Sequence, residues 1–151
     1  MATTLVDNLL HVVFSTKRRR RLIAPDIEPQ LYRYIGGIVR SLDSRCLAIN
    51  GVEDHLHLLI SLSKKVALSE FMRQVKGSSA KWLKHRDERV FRDFGWQDGF
   101  GSFSVSRSLA PSVLEYIARQ KEHHRRFSFE DEYRALVVKA QIAFDERYLF
   151  D

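Results

Sequence analysis

The run from His55 to Leu62, HLHLLISL, constrains this chain more than any other stretch. Side chains alternate along a strand, so Leu56, Leu58, Ile60 and Leu62 share one face and need a core, while His55 and His57 share the other. A slip of one residue would expose the leucines, so the apolar positions set the register. The face that carries the imidazoles is then expected to be free of helices and reachable. Two imidazoles with Cβ atoms about 6 to 7 Å apart can converge on one divalent ion. His-x-His on a half-exposed strand is also common without any ligand, so the pair needs support from elsewhere in the chain.

The rest of the chain supplies the partners for that strand. Leu9 to Ser15 is a β-branched and aromatic run that ends in the basic stretch Lys17, Arg18, Arg19, Arg20 and Arg21, which reads as a buried strand and a basic loop. Pro25 can open a helix, with Ile27, Leu31, Tyr34, Ile35, Ile38 and Leu42 at helical spacing up to Asp43 and Ser44. Cys46 to Val52 and His55 to Leu62 form an antiparallel hairpin across a tight turn at Glu53 and Asp54. A second helix is predicted from near Ser69 to about His85, with a weak spot at Gly77 to Ser79. Gly95 to Gly101 is a loop and Phe103 to Ser106 a short strand. Pro111 starts a third helix that holds Tyr116. Ser128, with Glu130, Asp131 and Glu132 behind it, caps a fourth helix through Phe144. This is an α+β order, a ferredoxin-like βαββαβ sandwich with an antiparallel sheet and additional C-terminal helices, expected as a single domain over residues 1–151.

Charge narrows the function. A formal net charge of +6 favours a polyanionic partner, without separating DNA from RNA. The lone Cys46 can form no intramolecular disulfide and reads as a core residue. No apolar run reaches the roughly 18 to 20 residues of a membrane span, and Met1 to Asn8 lacks the pattern of a signal peptide, so a cytoplasmic location is expected. On the third helix, Tyr116 and Gln120 lie four apart and share a face. A nucleophile and an oxygen ligand can therefore travel together, although for an arbitrary helix a half-buried aromatic beside a solvated glutamine is the commoner case.

Five blocks in order resemble the IS200/IS605 transposases and the related repeat-associated tyrosine transposases, single-tyrosine His-hydrophobe-His endonucleases. They are HVVFSTK (His11 to Lys17), GVEDHLHLLI (Gly51 to Ile60), FSVSRS (Phe103 to Ser108), YIARQ with the following HH (Tyr116 to His124), and EDEYRALV with DERYLFD (Glu130 to Val137, Asp145 to Asp151). The resemblance implies a DNA transposase that cleaves and rejoins single-stranded DNA near hairpins through a 5′-phosphotyrosine link. It implies His55, His57 and Gln120 as ligands for Mg²⁺ or Mn²⁺ and Tyr116 as nucleophile. Arg119 stands where these proteins usually carry Asn. The family's dimers exchange the tyrosine helix, so a homodimer is expected, with Ser106 to Ser112 as a connector that permits exchange.

For stem contacts, Lys17, Arg18, Arg19, Arg20 and Arg21 together with Arg73, Lys76, Lys81 and Lys84 are candidates, and a solvated basic surface is as good an account of any one of them. Phe100 or Trp96 could stack a base, core packing being the alternative. His123 and His124 read as a helix end or a phosphate contact. Among rival functions, a hairpin-binding descendant that does not cut would not need His55, His57, Tyr116 and Gln120 together. An RNA-binding sheet would want aromatics where the histidines stand. A small zinc hydrolase would need a further ligand at the right spacing.

Overall fold

The computed structural model describes residues 2–151. Its strands are β1 (Leu9–Ser15), β2 (Arg45–Val52), β3 (His55–Ser61) and β4 (Gly101–Ser104). The helices are α1 (Glu28–Ser41), α2 (Leu68–Arg86), α3 (Glu88–Phe91), α4 (Ala110–Ala118), α5 (Gln120–His123) and α6 (Phe129–Lys139). The sheet runs β2-β3-β1-β4 with every pairing antiparallel, which is the ferredoxin-like order expected. The histidine strand is internal: β1 flanks it with Ser15 opposite His55, and β2 flanks it with Val52 opposite His55 and Asn50 opposite His57. Among the described residues no helix is long and apolar enough to cross a membrane.

The leucine face behaves as the alternation requires. Leu10, Val12 and Phe14 of β1 and Leu56, Leu58 and Ile60 of β3 pack under Leu31, Ile35 and Val39 of α1 and Phe71, Met72, Val75 and Leu83 of α2. Cys46 joins this core as a partly buried thiol, and burial raises its pKa to about 11. α2 runs unbroken through Gly77 to Ser79. Ser79 is buried there, its hydroxyl donating to the Val75 carbonyl at 2.6 Å and accepting from Trp96 Nε1 at 2.9 Å. Trp96 is thereby committed to the core, edge-on to both Phe14 and Phe94, and is not free to stack a base.

The other sheet face departs from expectation. It is not free of helices: α4, α5 and α6 cover it, and His55 and His57 are 0% exposed. The reason is apolar. Val13 on this face packs with Phe129, Tyr133 and Val137 of α6, and Leu59 beside the histidines is fully buried as well, so this face also shields hydrophobic surface. Gly101 lets α6 approach, since a Cβ there would lie 2.7 Å from Tyr133 Cε2. Pairing of Gly101 with Val13 starts β4 there, two residues before the expected strand, and the strand ends at Ser104. α6 ends at Lys139 and not at Phe144, with Gln141 in the left-handed region at φ 58°.

Gly51 sets the geometry of the hairpin next to His55, because a Cβ on it would stand 2.1 Å from the His55 carbonyl oxygen. Gly51→Ala is therefore expected to lower the unfolding free energy by about 1–3 kcal/mol, as overpacking does. Gly77→Ala, where a Cβ meets nothing within 4 Å, is expected to raise it by up to about 1 kcal/mol. Urea denaturation of the two variants checks both signs.

Candidate active site and metal centre

Four elements aim polar side chains into the buried face. β3 presents His55 and His57. α4 carries Tyr116 and stops at Arg119, whose backbone leaves the helical region (φ −97°, ψ 15°), and α5 resumes with Gln120 and His123, followed by His124. Asn50 on β2 fixes this junction by donating from Nδ2 to the Ile117 carbonyl at 2.9 Å. α6 is capped by Ser128, whose hydroxyl accepts from the Asp131 amide, and the next residue along, Glu132, turns inward to 5% exposure.

Glu132 is the hub. Its Oε1 lies 2.8 Å from His57 Nε2, 3.0 Å from His124 Nε2 and 3.3 Å from His55 Nε2. Its Oε2 accepts from Gln120 Nε2 at 3.0 Å and from the Tyr116 hydroxyl, and lies 3.3 Å from His123 Nε2. One carboxylate therefore faces three imidazoles with one oxygen and the phenol with the other.

Behind each imidazole a partner holds Nδ1: the Asp54 carboxylate for His55 at 2.6 Å, His11 Nε2 for His57 at 2.8 Å, and the Phe127 carbonyl for His124 at 2.7 Å. Such contacts fix ring orientation and leave Nε2 pointing at the centre, the usual preparation of a metal-binding histidine.

Electrostatics follow from this packing. Burial opposes protonation of His55, yet the hydrogen bonds to Asp54 and Glu132 outweigh it and raise its pKa to about 9. For His57 burial wins over Glu132 and the value falls to about 4; His11, buried beside His57, falls to about 3. Burial favours the neutral acid at Glu132, but hydrogen bonds from His124, His55 and His57 hold it well below the carboxylate range. The Tyr116 phenol is pushed upward by burial and by the Glu132 charge.

The donor set suits a divalent ion. One ligand atom from each of His55, His57, His124 and Glu132 lies within 4.8 Å of the others. Three imidazoles and a carboxylate at this spacing can converge on one divalent cation. Gln120, fully buried, places Oε1 3.4 Å from His55 Nε2, at the edge of the same cluster.

All four residues singled out from the sequence, His55, His57, Tyr116 and Gln120, thus meet within one chain. Glu132, His124 and His11 were missed. Glu132 reads in sequence as one of three carboxylates at a helix start, and His124 as a helix end; nothing local marks which of them turns inward.

The basic candidates divide. Lys17 sits 3.6 Å from Asp98, and Arg19 pairs with Glu130 while its guanidinium lies over Phe150; Arg18, Arg20 and Arg21 are exposed. Arg73 forks onto Glu70, and Lys76 is spent on the Asp98 and Gly99 carbonyls, at 2.9 Å each, beside a Phe100 packed on the core. Lys81 and Lys84 are exposed on α2, across the sheet from the histidines. Ser106 to Ser112 is more ordered than a free connector, with a 3-10 turn at Arg107–Leu109 and an Arg107–Asp7 pair at 2.6 Å.

A pH dependence of stability follows. The folded values near 4 and 3 for His57 and His11, against an ordinary 6.5, mean that the folded chain binds fewer protons than the unfolded one. That stability is present above pH 6.5 and lost as pH falls; Glu132, held low, adds the same sign below 4.5. His55 runs the other way, contributing fully below 6.5 and losing its share as pH rises through about 9. With metal chelated, the urea midpoint is expected to drop from pH 6.5 toward pH 4. His11→Gln, a partner for His57 that does not titrate, should give a shallower acid limb.

A family model described as "Transposase IS200 like" matches residues 5–120. The transposase for insertion sequence element IS200 of Salmonella typhimurium is 29% identical over 128 residues, covering 76% of this chain and 78% of the relative. The ISDra2 transposase TnpA of Deinococcus radiodurans is 21% identical over 116 residues, covering 74% of this chain and 83% of the relative. Among solved structures, a REP-associated tyrosine transposase bound to a REP hairpin superposes with a TM-score of 0.60 at 15% identity, over 82% of this chain and 73% of that one, which is a likeness of fold. Because the matched span takes in the histidine strand, the tyrosine helix and Gln120, this chain belongs to the IS200-like transposase family.

Proposed function

We propose that this transposase cleaves and rejoins single-stranded DNA near hairpins, with Tyr116 as nucleophile and with His55, His57, His124 and Glu132, flanked by Gln120, as the residues that hold Mn²⁺ or Mg²⁺. The observation that supports this most is the shared carboxylate: Glu132 accepts the Tyr116 hydroxyl on Oε2 while Oε1 faces the imidazoles. Bound there, a divalent ion supplies Lewis acidity toward a phosphate oxygen.

The chain's own groups account for the remaining steps. Near neutral pH the phenol keeps its proton, since burial and the neighbouring carboxylate both resist ionisation. Glu132 stays ionised and accepts the phenolic hydrogen bond on Oε2, which orients Tyr116 for attack; a carboxylate held this low is a poor base, so the proton passes on to solvent as the tyrosine oxygen bonds to phosphorus. A bond forms between the tyrosine oxygen and phosphorus, and the bond from phosphorus to the 3′ oxygen breaks. The departing oxygen takes a proton from solvent and leaves as a 3′-OH. One phosphodiester has replaced another, so a second 3′-OH can attack the 5′-phosphotyrosine and rejoin DNA without ATP.

α6 lies beyond the matched span yet carries Glu132, which favours residues 1–151 acting as one domain. The solved relative is bound to a REP hairpin; for this chain a hairpin stem fits the exposed Arg18, Arg20 and Arg21 with Lys17 and Arg19 beside them, at the end of the sheet where His55 lies. Tyr116 meets the histidines of its own chain here, and a homodimer that exchanges the tyrosine helix would assemble the same groups from two chains. Such a reaction belongs in the cytoplasm, where the DNA is.

Incubation with single-stranded hairpin DNA and Mn²⁺ or Mg²⁺, followed by denaturing gels, is expected to give a covalent protein-DNA adduct that Tyr116→Phe and chelation both abolish. Glu132→Gln should slow adduct formation, because the site loses a charged ligand atom and the acceptor that orients Tyr116. An adduct formed equally by Tyr116→Phe would refute the assignment, and hairpin binding with no adduct from any substrate would favour a non-cutting binder.

A further inference from the structure

The buried cluster is one side of Tyr116; the other opens on a hollow of about 460 Å³ between α4 and the segment after α5. Tyr116, Arg119, His123, Arg126 and Phe127 line it. The volume lies within the range of small-molecule sites. Three rings run in series from the nucleophile outward: Tyr116 to His123 at 5.6 Å between centroids, then His123 stacked on Phe127 at 5.0 Å and 25°. Phe127 ends the series 52% exposed, a large aromatic left in solvent.

Cations accompany the rings. Arg126 is exposed and has no carboxylate partner among the described residues. Arg119 is held by Glu115 at 2.8 Å, but both side chains are more than half exposed, and such a pair is readily exchanged for a phosphate. Glu115 and Glu122 line the same hollow, which disfavours the polyanionic backbone inside it and favours a base there. An aromatic face beside guanidinium groups is the chemistry that binds unpaired nucleotides.

We infer that this hollow is the subsite for one unpaired nucleotide next to the scissile phosphate, its base stacked on Phe127 with His123 behind, and its flanking phosphates met by Arg126 and Arg119. The position of the subsite relative to the chemistry rests on Tyr116 being the nucleophile. A base-paired nucleotide could not fill it, because its faces are covered by its neighbours in the stack. The subsite thus selects single strands through stacking.

Fluorescence anisotropy with labelled oligothymidine, on the Tyr116→Phe protein so that nothing is cut, tests the assignment. Phe127→Ala is expected to weaken binding about tenfold, Phe127→Trp to retain it, and Arg126→Gln to reduce the salt slope by about one. On an abasic strand of equal length and charge, Phe127→Ala should bind like its parent, since no base remains to stack. Equal affinity of Phe127→Ala and its parent for oligothymidine, or the same loss on the abasic strand, would overturn the subsite. Adduct formation by the wild-type protein is read separately. A Phe127→Ala deficit without any wild-type adduct would leave the nucleotide subsite standing and remove Tyr116 as nucleophile. An adduct together with undiminished Phe127→Ala binding would do the reverse.

Discussion

β3 is buried on both faces, one apolar and one ionisable, and the rest of the molecule is arranged around that condition. The apolar face needs only oily neighbours, which α1 and α2 provide. On the opposite face two imidazoles stand in a region closed to water, and unpaired polar groups there are costly. The three C-terminal helices do not merely cover that face; they deliver the groups that answer its polarity.

Glu132 is where this answer is concentrated. An ionised carboxylate at 5% exposure would be untenable alone, and it is sustained by hydrogen bonds from imidazoles on two elements, an amide and a phenol. The same contacts couple the ionisation of every member. His55 is held charged by Asp54 and Glu132, while His57, equally buried but backed by another imidazole, stays neutral. Two histidines two residues apart on one strand are thus driven in opposite directions by what stands behind them.

This arrangement also explains why the tyrosine helix breaks where it does. Between α4 and α5 the backbone leaves the helical region at Arg119, which lets Tyr116 and Gln120 reach the same carboxylate while His123 and His124 come round from the next turn. Anchoring by Asn50 and by Lys121, whose ammonium bonds Asn50 Oδ1 and Glu28, ties that break to the sheet and to α1. The nucleophile candidate is therefore mounted on a junction held from three directions.

Much of this was legible before any tertiary contact was known. Alternation along His55 to Leu62 paired the histidines and assigned the leucines to a core, a property of a strand taken alone; four-residue spacing put Tyr116 and Gln120 on one face of a single helix, and they do meet at one carboxylate, although across the break at Arg119. The βαββαβ order followed from the same local patterns. What local pattern could not reach was the fate of the second sheet face, because apolar residues of α4 and α6 carry no mark of which sheet surface they will cover. Nor could it single out Glu132 from Glu130 and Asp131, since all three suit a helix start equally well. The sequence by itself determined the elements, their order, and which side chains on each must share a face. Only the tertiary structure decided that one carboxylate from a distant helix would be buried between imidazoles and phenol, because that depends on how α6 packs across the sheet, a relation between elements that no single element encodes.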